Sequence, residues 1–182
     1  MLILASASPR RRELLTEAGI RFTVQPADID ETHRPGESPI AFTQRLAREK
    51  AEAIFAKHPN ATVLGADTIV VCDEEILGKP ADETDAARML KKLSGRDHQV
   101  ITGVALIAPS GMQIHAEYTT VTMRKISEEE IKSYIATGEP MDKAGAYAIQ
   151  GGAATFILQF DGDYTNVVGL PVKLVQQMLS TT

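Results

Sequence analysis

The sequence is poor in three features that would each point to a class of protein. It has a single cysteine, Cys72, so no disulfide forms within the chain and a reducing cytoplasm is the expected compartment. It has no tryptophan and only 5% aromatic residues, which argues against stacking platforms for single-stranded nucleic acid. It has no long apolar segment and no charged leader before the first predicted strand, and we therefore expect a soluble intracellular protein.

Several common functional motifs are also missing. The chain contains neither G-x-G-x-x-G nor H-E-x-x-H, and neither G-x-S-x-G nor paired C-x-x-C. The usual dinucleotide, zinc and serine-hydrolase signatures are therefore excluded. The formal net charge of −5 also argues against a surface devoted to nucleic acid or to an anionic membrane, although small basic sites remain compatible with it.

The opening stretch is the most unusual segment that the chain does contain. The apolar run 2–5 predicts a short buried strand, and Ser8 with Pro9 predicts the N-cap and the first position of a helix. Three arginines follow, at 10–12, although a helix N-terminus carries a partial positive charge and favours acidic residues. Two interpretations are open here: a phosphate site, or a solvated basic patch that pairs with acids elsewhere.

Residues 26–38 form a polar loop that is long for a simple connection, which favours a functional loop. Asp28, Asp30 and Glu31 offer the carboxylate oxygens that Mg²⁺ prefers. Ordinary loop solubility is the more common reason for such residues. The loop alone therefore does not predict a metal site.

Two lysines lie where a charged side chain is unexpected. The helix predicted to begin at Ser38 places Lys50 on its apolar stripe, from where the ammonium either reaches the edge or points into a cleft. Lys79 lies between Gly78 and Pro80, on a constrained backbone that would hold its ammonium at a fixed place. The surrounding sequence is not a Walker A motif.

The run from Thr62 to Val71 predicts a buried strand that one carboxylate, Asp67, interrupts. An ionised carboxylate is costly in such a setting unless it is hydrogen-bonded, paired or bound to a metal. We therefore favour a functional aspartate over a structural one. Gly65 and Ala66 before it would permit the close approach of a ligand, and Thr68 would face the opposite side of a regular strand.

Residues 139–152 are the second stretch with the character of a site. Charged and amide side chains, among them Asp142, Lys143 and Gln150, are interleaved there with small residues and glycines. This mixture indicates a ligand-binding loop rather than a glycine-rich connection. His98 is interpreted as a structural or surface histidine, with a catalytic or phosphate-contacting role as the alternative.

The remaining segments are ordinary strands and helices, with no internal repeat, linker or low-complexity tract between them. At 182 residues the chain has room for one domain or two small lobes. We predict a helix over 84–93, a β-hairpin of 98–108 and 112–123, a helix capped by Ser127 and Glu130, a strand over 154–160 and a last helix over 171–179.

The unusual positions together suit phosphoryl chemistry. They are an arginine-rich helix start, an acidic loop, one carboxylate in a strand and two lysines in constrained or apolar settings. Cations would hold a polyphosphate, carboxylates would hold Mg²⁺ or Mn²⁺, and one carboxylate would orient water. From the residues alone, the expectation is a metal-dependent phosphoanhydride hydrolase.

At these positions the sequence closely resembles the Maf family of nucleoside triphosphate pyrophosphatases. The motifs that carry the resemblance run through almost the whole chain, and their order and number make the match specific. They are 6–11 (SASPRR), 45–50 (RLAREK), 65–68 (GADT), 78–80 (GKP), 94–95 (SG) with His98 and 100–103 (VITG), 142–151 (DKAGAYAIQG) and 169–171 (GLP).

The resemblance implies an α/β fold like that of the inosine triphosphate pyrophosphatases, the Maf/Ham fold. That fold has an elongated mixed sheet flanked by helices, here as a single domain over residues 1–182 with a cleft between two lobes. The implied activity is hydrolysis of nucleoside triphosphates to the monophosphate and pyrophosphate, in house-cleaning of nucleotide pools with a link to cell-division arrest. A divalent metal cofactor (Mg²⁺, Mn²⁺ or Co²⁺) and a homodimer are implied as well.

The resemblance also assigns catalytic roles by position. The general base falls on Asp67, and the other catalytic positions fall on Glu31, Lys50 and Lys79. Glu31 and Asp67 are the implied metal ligands. In the resulting hypothesis Asp67 orients or deprotonates water for in-line attack at the α-phosphorus, and pyrophosphate leaves while the basic residues stabilise its charge.

Nucleotide selectivity falls on Arg10, Thr68 and Gln150. This combination resembles the branch that cleaves dTTP and UTP, rather than the branch that acts on 7-methyl-GTP. The amide of Gln150 suits a pyrimidine edge because it both donates and accepts hydrogen bonds. The expected substrate-binding residues are Ser8, Arg10, Arg11, Thr68, Lys143 and Gln150.

Two other functions are carried as alternatives. The first is a Maf-type pyrophosphatase for other or modified nucleotides. The second is a nucleotide-binding regulator of cell division that senses rather than cleaves. A nucleic-acid-binding module ranks last, because of the net charge and the scarcity of aromatic residues.

Overall fold

We describe a computed structural model of the chain, which covers residues 1–182. It has the predicted α/β class, with one mixed sheet of seven strands. The strands are β1 (Leu2–Leu4), β2 (Phe22–Val24), β3 (Thr62–Cys72), β4 (Glu75–Leu77), β5 (Asp97–Ala108), β6 (Gly111–Met123) and β7 (Ile157–Asp161). Their order is β2-β1-β3-β5-β6-β7, with β4 paired to β3. β1 is parallel to β2 and β3, whereas β4 is antiparallel to β3 and β7 to β6.

Six helices accompany the sheet. They are α1 (Pro9–Glu17), α2 (Pro39–Phe55), α3 (Glu83–Leu93), α4 (Glu128–Ala136), α5 (Tyr164–Val168) and α6 (Val172–Ser180). None of them has the length and apolar character needed to cross a membrane.

Three helices begin where the local sequence predicts. The hydroxyls of Ser8 and Ser38 accept backbone N–H groups at the starts of α1 and α2, and a proline follows each serine. At the start of α4, Ser127 and Glu130 form the predicted capping box, in which each side chain bonds to the backbone of the other.

The chain divides into two compact units. Unit 1 contains residues 1–68, 102–117 and 169–182, and unit 2 contains residues 69–101 and 118–168. The strands β3, β5 and β6 contribute residues to both units. A single domain with a cleft between two lobes stays a prediction.

The core of unit 1 is an apolar cluster contributed by β1, α2, β3 and β5. Its buried members are Ile3, Ala5, Ala47, Ala51, Ile54, Ala61, Val63, Ala105 and Ile107. The α2 members of this cluster include two alanines, because the helix lies directly against the strand backbone. A Cβ at Gly65 would lie 2.1 Å from the carbonyl oxygen of Ala47, and one at Gly103 would lie 2.3 Å from that of Thr43.

This close packing corrects one interpretation of the sequence. The space left by the missing side chain of Gly65 is occupied by α2 and is not open to a ligand. The glycine instead brings α2 against β3, and it thereby sets the distance between polar side chains on the two elements. That distance matters for the site described below.

In unit 2, α3 contacts α4 and the 3₁₀ turns at Glu139–Asp142 and Ala144–Ala146. The strand predicted over 154–160 begins later than expected. Gly152–Phe156 forms a third 3₁₀ turn, and β7 starts only at Ile157. The buried ring of Phe156 packs edge-on against Tyr134 at 5.5 Å, which holds this residue in the turn.

Candidate active site

The arginines at the start of α1 differ in their environment. Arg11 is buried, Arg10 is half-buried and Arg12 is exposed. The hydroxyl of Ser8 accepts the backbone N–H of Arg11 at 3.4 Å. Ser8, one of the predicted substrate-binding residues, therefore has a structural task as the N-cap of α1.

Arg11 joins several segments of unit 1 through its guanidinium. Its Nε donates to the carbonyl oxygen of Gly169 at 2.8 Å, and its Nη1 donates to the Ser6 hydroxyl at 3.1 Å and the Ala66 carbonyl oxygen at 2.9 Å. Its Nη2 donates to Oγ1 of Thr68 at 3.0 Å. These bonds use four of the five N–H groups of the guanidinium. Arg11 therefore holds α1 to the end of β3, and its grip on a phosphate stays a prediction.

Burial lowers the pKa of Arg11, and the nearby carboxylate of Asp67 acts in the opposite direction. All four oxygens that accept its hydrogen bonds are uncharged. The anion that the sequence led us to expect near the arginines is thus not a direct hydrogen-bond partner of Arg11. The carboxylate of Asp67 instead acts on the Arg11 guanidinium through its electric field.

Thr68, a predicted selectivity residue, is fixed by three contacts within unit 1. Besides accepting from Arg11, its Oγ1 lies 3.2 Å from the Gly169 carbonyl oxygen and 2.9 Å from Oγ1 of Thr102. A hydroxyl has one proton to donate and two lone pairs that accept, so these three hydrogen bonds satisfy it completely. The orientation of the Thr68 side chain is accordingly determined by its surroundings.

Lys50, Asp67 and Glu31 form a cluster around one ammonium group. Nζ of Lys50 lies 2.7 Å from Oδ1 of Asp67 and 2.9 Å from Oε1 of Glu31. Lys50 and Asp67 are only 8% and 7% exposed, whereas Glu31 is exposed. Of the two positions considered for Lys50, the structure shows the inward one, and three of the four predicted catalytic residues are together in unit 1.

Burial is the main influence on Asp67 and raises its pKa. The ammonium of Lys50 and the guanidinium of Arg11 act in the opposite direction, because both favour the charged carboxylate. The pair with Lys50 makes a buried carboxylate tolerable at this position in β3. The strand thus presents carboxyl oxygens beside an ammonium group in a largely dry setting.

Glu31 and Asp67 fit the divalent cation that the Maf resemblance implies. Both present hard carboxylate oxygens within 3 Å of the same point of positive charge, the ammonium of Lys50. No group of three or more His, Cys, Asp or Glu side chains is arranged to hold a metal ion. Mg²⁺ commonly takes one or two carboxylates and completes its shell with water and substrate phosphates, so two ligands from the protein are sufficient.

Arg45 is the centre of a second cluster, with Glu37 and Glu49, and this cluster holds the loop that carries Glu31. The sequence did not predict it. Nε and Nη2 of Arg45 donate to the two carboxylate oxygens of Glu37 at 2.6 and 2.9 Å, and Nη1 donates to Glu49 at 3.1 Å. Nη2 also donates to the carbonyl oxygen of Thr32 at 3.0 Å, one residue after Glu31. The bond from Arg45 holds the pKa of Glu37 at about 2.

In the sequence, only the spacing of Arg45 and Glu49 indicates part of this cluster, because residues four positions apart on one helix can form an ion pair. The bidentate pair of Arg45 with Glu37 joins a helix to a loop, and no local pattern predicts it. The cluster nevertheless ties the long polar loop to α2 at Thr32 and Glu37.

Unit 2 contains the other three predicted site residues. Lys79 and Gln150 are both exposed, and the backbone N–H of Gly145 donates to the carbonyl oxygen of Gly78 at 3.1 Å, next to Lys79. Nζ of Lys143 donates to Oδ1 of Asp142 at 2.5 Å and to the carbonyl oxygen of Glu139 at 3.3 Å. The predicted roles of Lys79, Lys143 and Gln150 stay predictions.

A family model described as Maf-like protein matches residues 1–182, the full length of the sequence. The chain belongs to the Maf family. The family assignment and the α/β fold with its mixed sheet agree with the resemblance found in the sequence motifs.

Curated members of the Maf family are similar to this chain over nearly its whole length. A protein of Koribacter versatilis is 57% identical over 98% of this chain and 92% of its own length. One of Geobacter metallireducens is 57% identical over 99% and 95% of the two chains, and one of Symbiobacterium thermophilum is 54% identical over 98% and 92%. Each of these three relatives is named dTTP/UTP pyrophosphatase.

Among solved structures, a protein from Vibrio cholerae is similar with a TM-score of 0.38 and 9% sequence identity. The similarity covers 74% of this chain and 68% of that one. It is too distant to add to the assignment made from the Maf family.

Proposed function

We propose that this protein is a nucleoside triphosphate pyrophosphatase that hydrolyses dTTP and UTP to the nucleoside monophosphate and pyrophosphate. The observation that carries the proposal is the name shared by relatives that are 54–57% identical over nearly the whole chain. The cluster of Lys50, Asp67 and Glu31 supports it, because it combines a buried carboxyl group with a fixed cation, an arrangement that suits phosphoanhydride hydrolysis.

In the proposed reaction Asp67 accepts a hydrogen bond from the attacking water and directs that water in line at the α-phosphorus. Lys50 favours the charged form of the Asp67 carboxyl and orients it. The exposed ammonium of Lys79 contacts the triphosphate and stabilises the charge that develops on the departing pyrophosphate. Arg10 and the remaining N–H of Arg11 also stabilise the charge on the departing pyrophosphate.

Glu31 and Asp67 would hold a divalent cation, which supplies neutralisation of the triphosphate when bound. The support for this part of the proposal is the pair of carboxylate oxygens that share one ammonium. Thr68 and Gln150 would contact the nucleoside. The amide of Gln150 offers a donor and an acceptor to the edge of a uracil or thymine base.

The proposal extends to assembly and location. We propose a homodimer, because β7 is an edge strand and large apolar side chains are exposed on it and on its neighbours: Tyr118, Leu158, Phe160 and Tyr164. A cytoplasmic location is consistent with Cys72, which is buried and free. A house-cleaning role in nucleotide pools would follow from the reaction.

The deciding experiment is a panel of nucleoside triphosphates assayed for pyrophosphate with Mg²⁺, Mn²⁺ and Co²⁺. We expect the highest kcat/KM for dTTP and UTP. The same reactions in ¹⁸O-labelled water should place the label on the monophosphate, because attack is at the α-phosphorus. Label on orthophosphate would refute the mechanism, and binding without hydrolysis of any triphosphate would favour a regulator.

A further inference from the structure

The loop that carries Gln150 begins with a strained backbone. Gly145 and Ala146 both have left-handed conformations, with φ of 69° and 61°. Ala146 is fully buried, and a Cβ at Gly145 would lie 2.8 Å from the side chain of Val70. A non-glycine residue with positive φ persists only where its surroundings hold it there. Some neighbouring contact must therefore fix this segment.

The contact that follows directly is a hydrogen bond between two buried rings. Nε2 of His98, at the start of β5, lies 2.6 Å from the hydroxyl of Tyr147. The rings meet edge to face, with centroids 5.4 Å apart, and the two residues are only 3% and 6% exposed. The proposed reaction uses neither side chain.

Both rings are uncharged at neutral pH. Burial lowers the pKa of His98 to about 4 and raises the pKa of Tyr147 far above its usual range. The bond between them is therefore a short bond between neutral groups in a dry setting. It resists water and salt better than a contact on the surface does.

The far side of the loop is fastened independently. The backbone N–H of Ala148 donates to the Tyr134 hydroxyl at 3.0 Å, and that of Gly152 donates to Oε2 of Glu139 at 3.1 Å. A Cβ at Gly151 would lie 1.9 Å from the other carboxylate oxygen of Glu139. Gln150 is exposed between these anchors, so its backbone is held while its side chain is free to meet a ligand.

We propose that His98 and Tyr147 are positioning residues for nucleotide selection, which act by fixing the loop that presents Gln150. This inference rests on the proposed function, since it assigns Gln150 to the base. Tyr147 is three residues before Gln150, and a shift of the loop by about 1 Å is enough to misalign an amide with the edge of a base. Neither ring needs to touch the substrate.

Tyr147→Phe tests the inference, because it removes the hydroxyl and retains the ring. We expect the KM for UTP and dTTP to rise about three- to tenfold, the effect of one lost hydrogen bond. We expect kcat to change less than twofold. The matched control is Ser133→Ala, which removes an exposed hydroxyl on α4 in the same unit and should leave KM unchanged.

A double-mutant cycle separates positioning from general loosening of the fold. In a Gln150→Ala background, Tyr147→Phe should change KM less than twofold, because the group that it positions is gone. An equal effect in both backgrounds would overturn the inference. His98→Gln keeps an amide that can bond to the Tyr147 hydroxyl and should retain most of the wild-type affinity, whereas His98→Leu should behave like Tyr147→Phe.

The dissociation constant of a non-hydrolysable UTP analogue gives a readout that does not depend on turnover. This constant should increase about three- to tenfold in Tyr147→Phe, as KM does. An unchanged dissociation constant would overturn the inference. If the wild-type protein binds the analogue but releases no pyrophosphate, the proposed function fails while the positioning role is still decided by binding. Thermal unfolding of each variant identifies any that is misfolded.

Discussion

At the scale of single residues, the site depends on a buried pair of opposite charges. Lys50 and Asp67 are both almost inaccessible to water, and each compensates the charge of the other. A buried ion pair adds little net stability, but loss of one partner leaves an uncompensated charge. The pair is therefore better explained by the chemistry of the site than by stability.

Asp67→Asn is expected to retain nucleotide binding and to lose turnover. Asparagine has nearly the same shape and still offers an oxygen to Lys50, but it cannot accept a proton from water. We expect kcat to fall by about a hundred- to thousandfold. Calorimetric binding of the UTP analogue and steady-state pyrophosphate release measure the two effects separately.

Asp161→Asn, an exposed carboxylate on β7, is the control for charge alone and should retain the wild-type kcat. Near-normal turnover in Asp67→Asn would remove Asp67 as the base. Loss of binding together with turnover would instead indicate that the carboxylate acts mainly by holding the substrate or its cation.

At the scale of elements, α2 is the component that assembles the site. It carries Lys50 and Arg45, so it positions both the ammonium beside Asp67 and the guanidinium that holds the loop of Glu31. Its distance from the sheet is set by Gly65 and Gly103, which leave no room for a side chain. A small displacement of α2 therefore changes the positions of both Lys50 and the Glu31 loop relative to Asp67.

Gly65→Ala is expected to destabilise the protein and to reduce its activity. The new Cβ would lie 2.1 Å from the Ala47 carbonyl oxygen, a backbone atom that cannot rotate away. The helix must move, and such overpacking costs about 1–3 kcal/mol of unfolding free energy. Chemical denaturation measures this cost, and kcat measures the displacement of Lys50.

Gly78→Ala is the matched control for stability. Its added Cβ would meet no atom within 4 Å, and its φ is not in the left-handed region. We expect its unfolding free energy to lie within about 0.5 kcal/mol of wild type. Equal stability of the two variants would show that α2 tolerates displacement from β3.

The parts of the fold that could be predicted from sequence are those set by neighbouring residues. The caps at Ser8, Ser38 and Ser127 were correct because a side chain and the next turn of backbone determine them. The strand with Asp67 was correct because its apolar run is long. The start of β7 was wrong because the buried packing of Phe156 places that residue in a 3₁₀ turn, despite its strand propensity.

Contacts between distant segments could not be predicted in the same way. The sequence marked Lys50 and Asp67 as unusual separately, but only the packing of α2 on β3 shows that they touch. The bond from Arg45 to Glu37 and the pairing of His98 with Tyr147 gave no local signal. His98 was interpreted as structural or at the surface, and the structure shows it buried.

At the scale of the whole molecule, the buried imidazole of His98 links stability to pH. Its pKa is about 4 in the folded protein and about 6.5 when exposed, mainly because burial disfavours the charged ring. The carboxylate of Asp97 opposes the shift but does not cancel it. Between these values the unfolded chain binds a proton that the folded protein excludes, so stability falls as the pH falls.

We therefore expect the free energy of unfolding to decrease from pH 6.5 towards pH 4.5 by about 2–3 kcal/mol on account of His98. The pKa values of Glu37 and Glu130 are both about 2, so these carboxylates retain their contribution in this window and lose it only at lower pH. Urea denaturation at half-unit steps of pH measures the slope.

The slope should flatten in His98→Gln, which removes the titrating group, and should persist in His115→Gln, which removes an exposed imidazole from β6. An unchanged slope in His98→Gln would assign the pH dependence to other groups. NMR titration of the wild-type imidazole examines the same group without a substitution and should give a midpoint near pH 4. Since Nδ1 of His98 has no hydrogen-bond partner, protonation places an unpaired N–H of a charged ring in a buried setting, and it should loosen the packing against Tyr147 before the rest of the molecule unfolds.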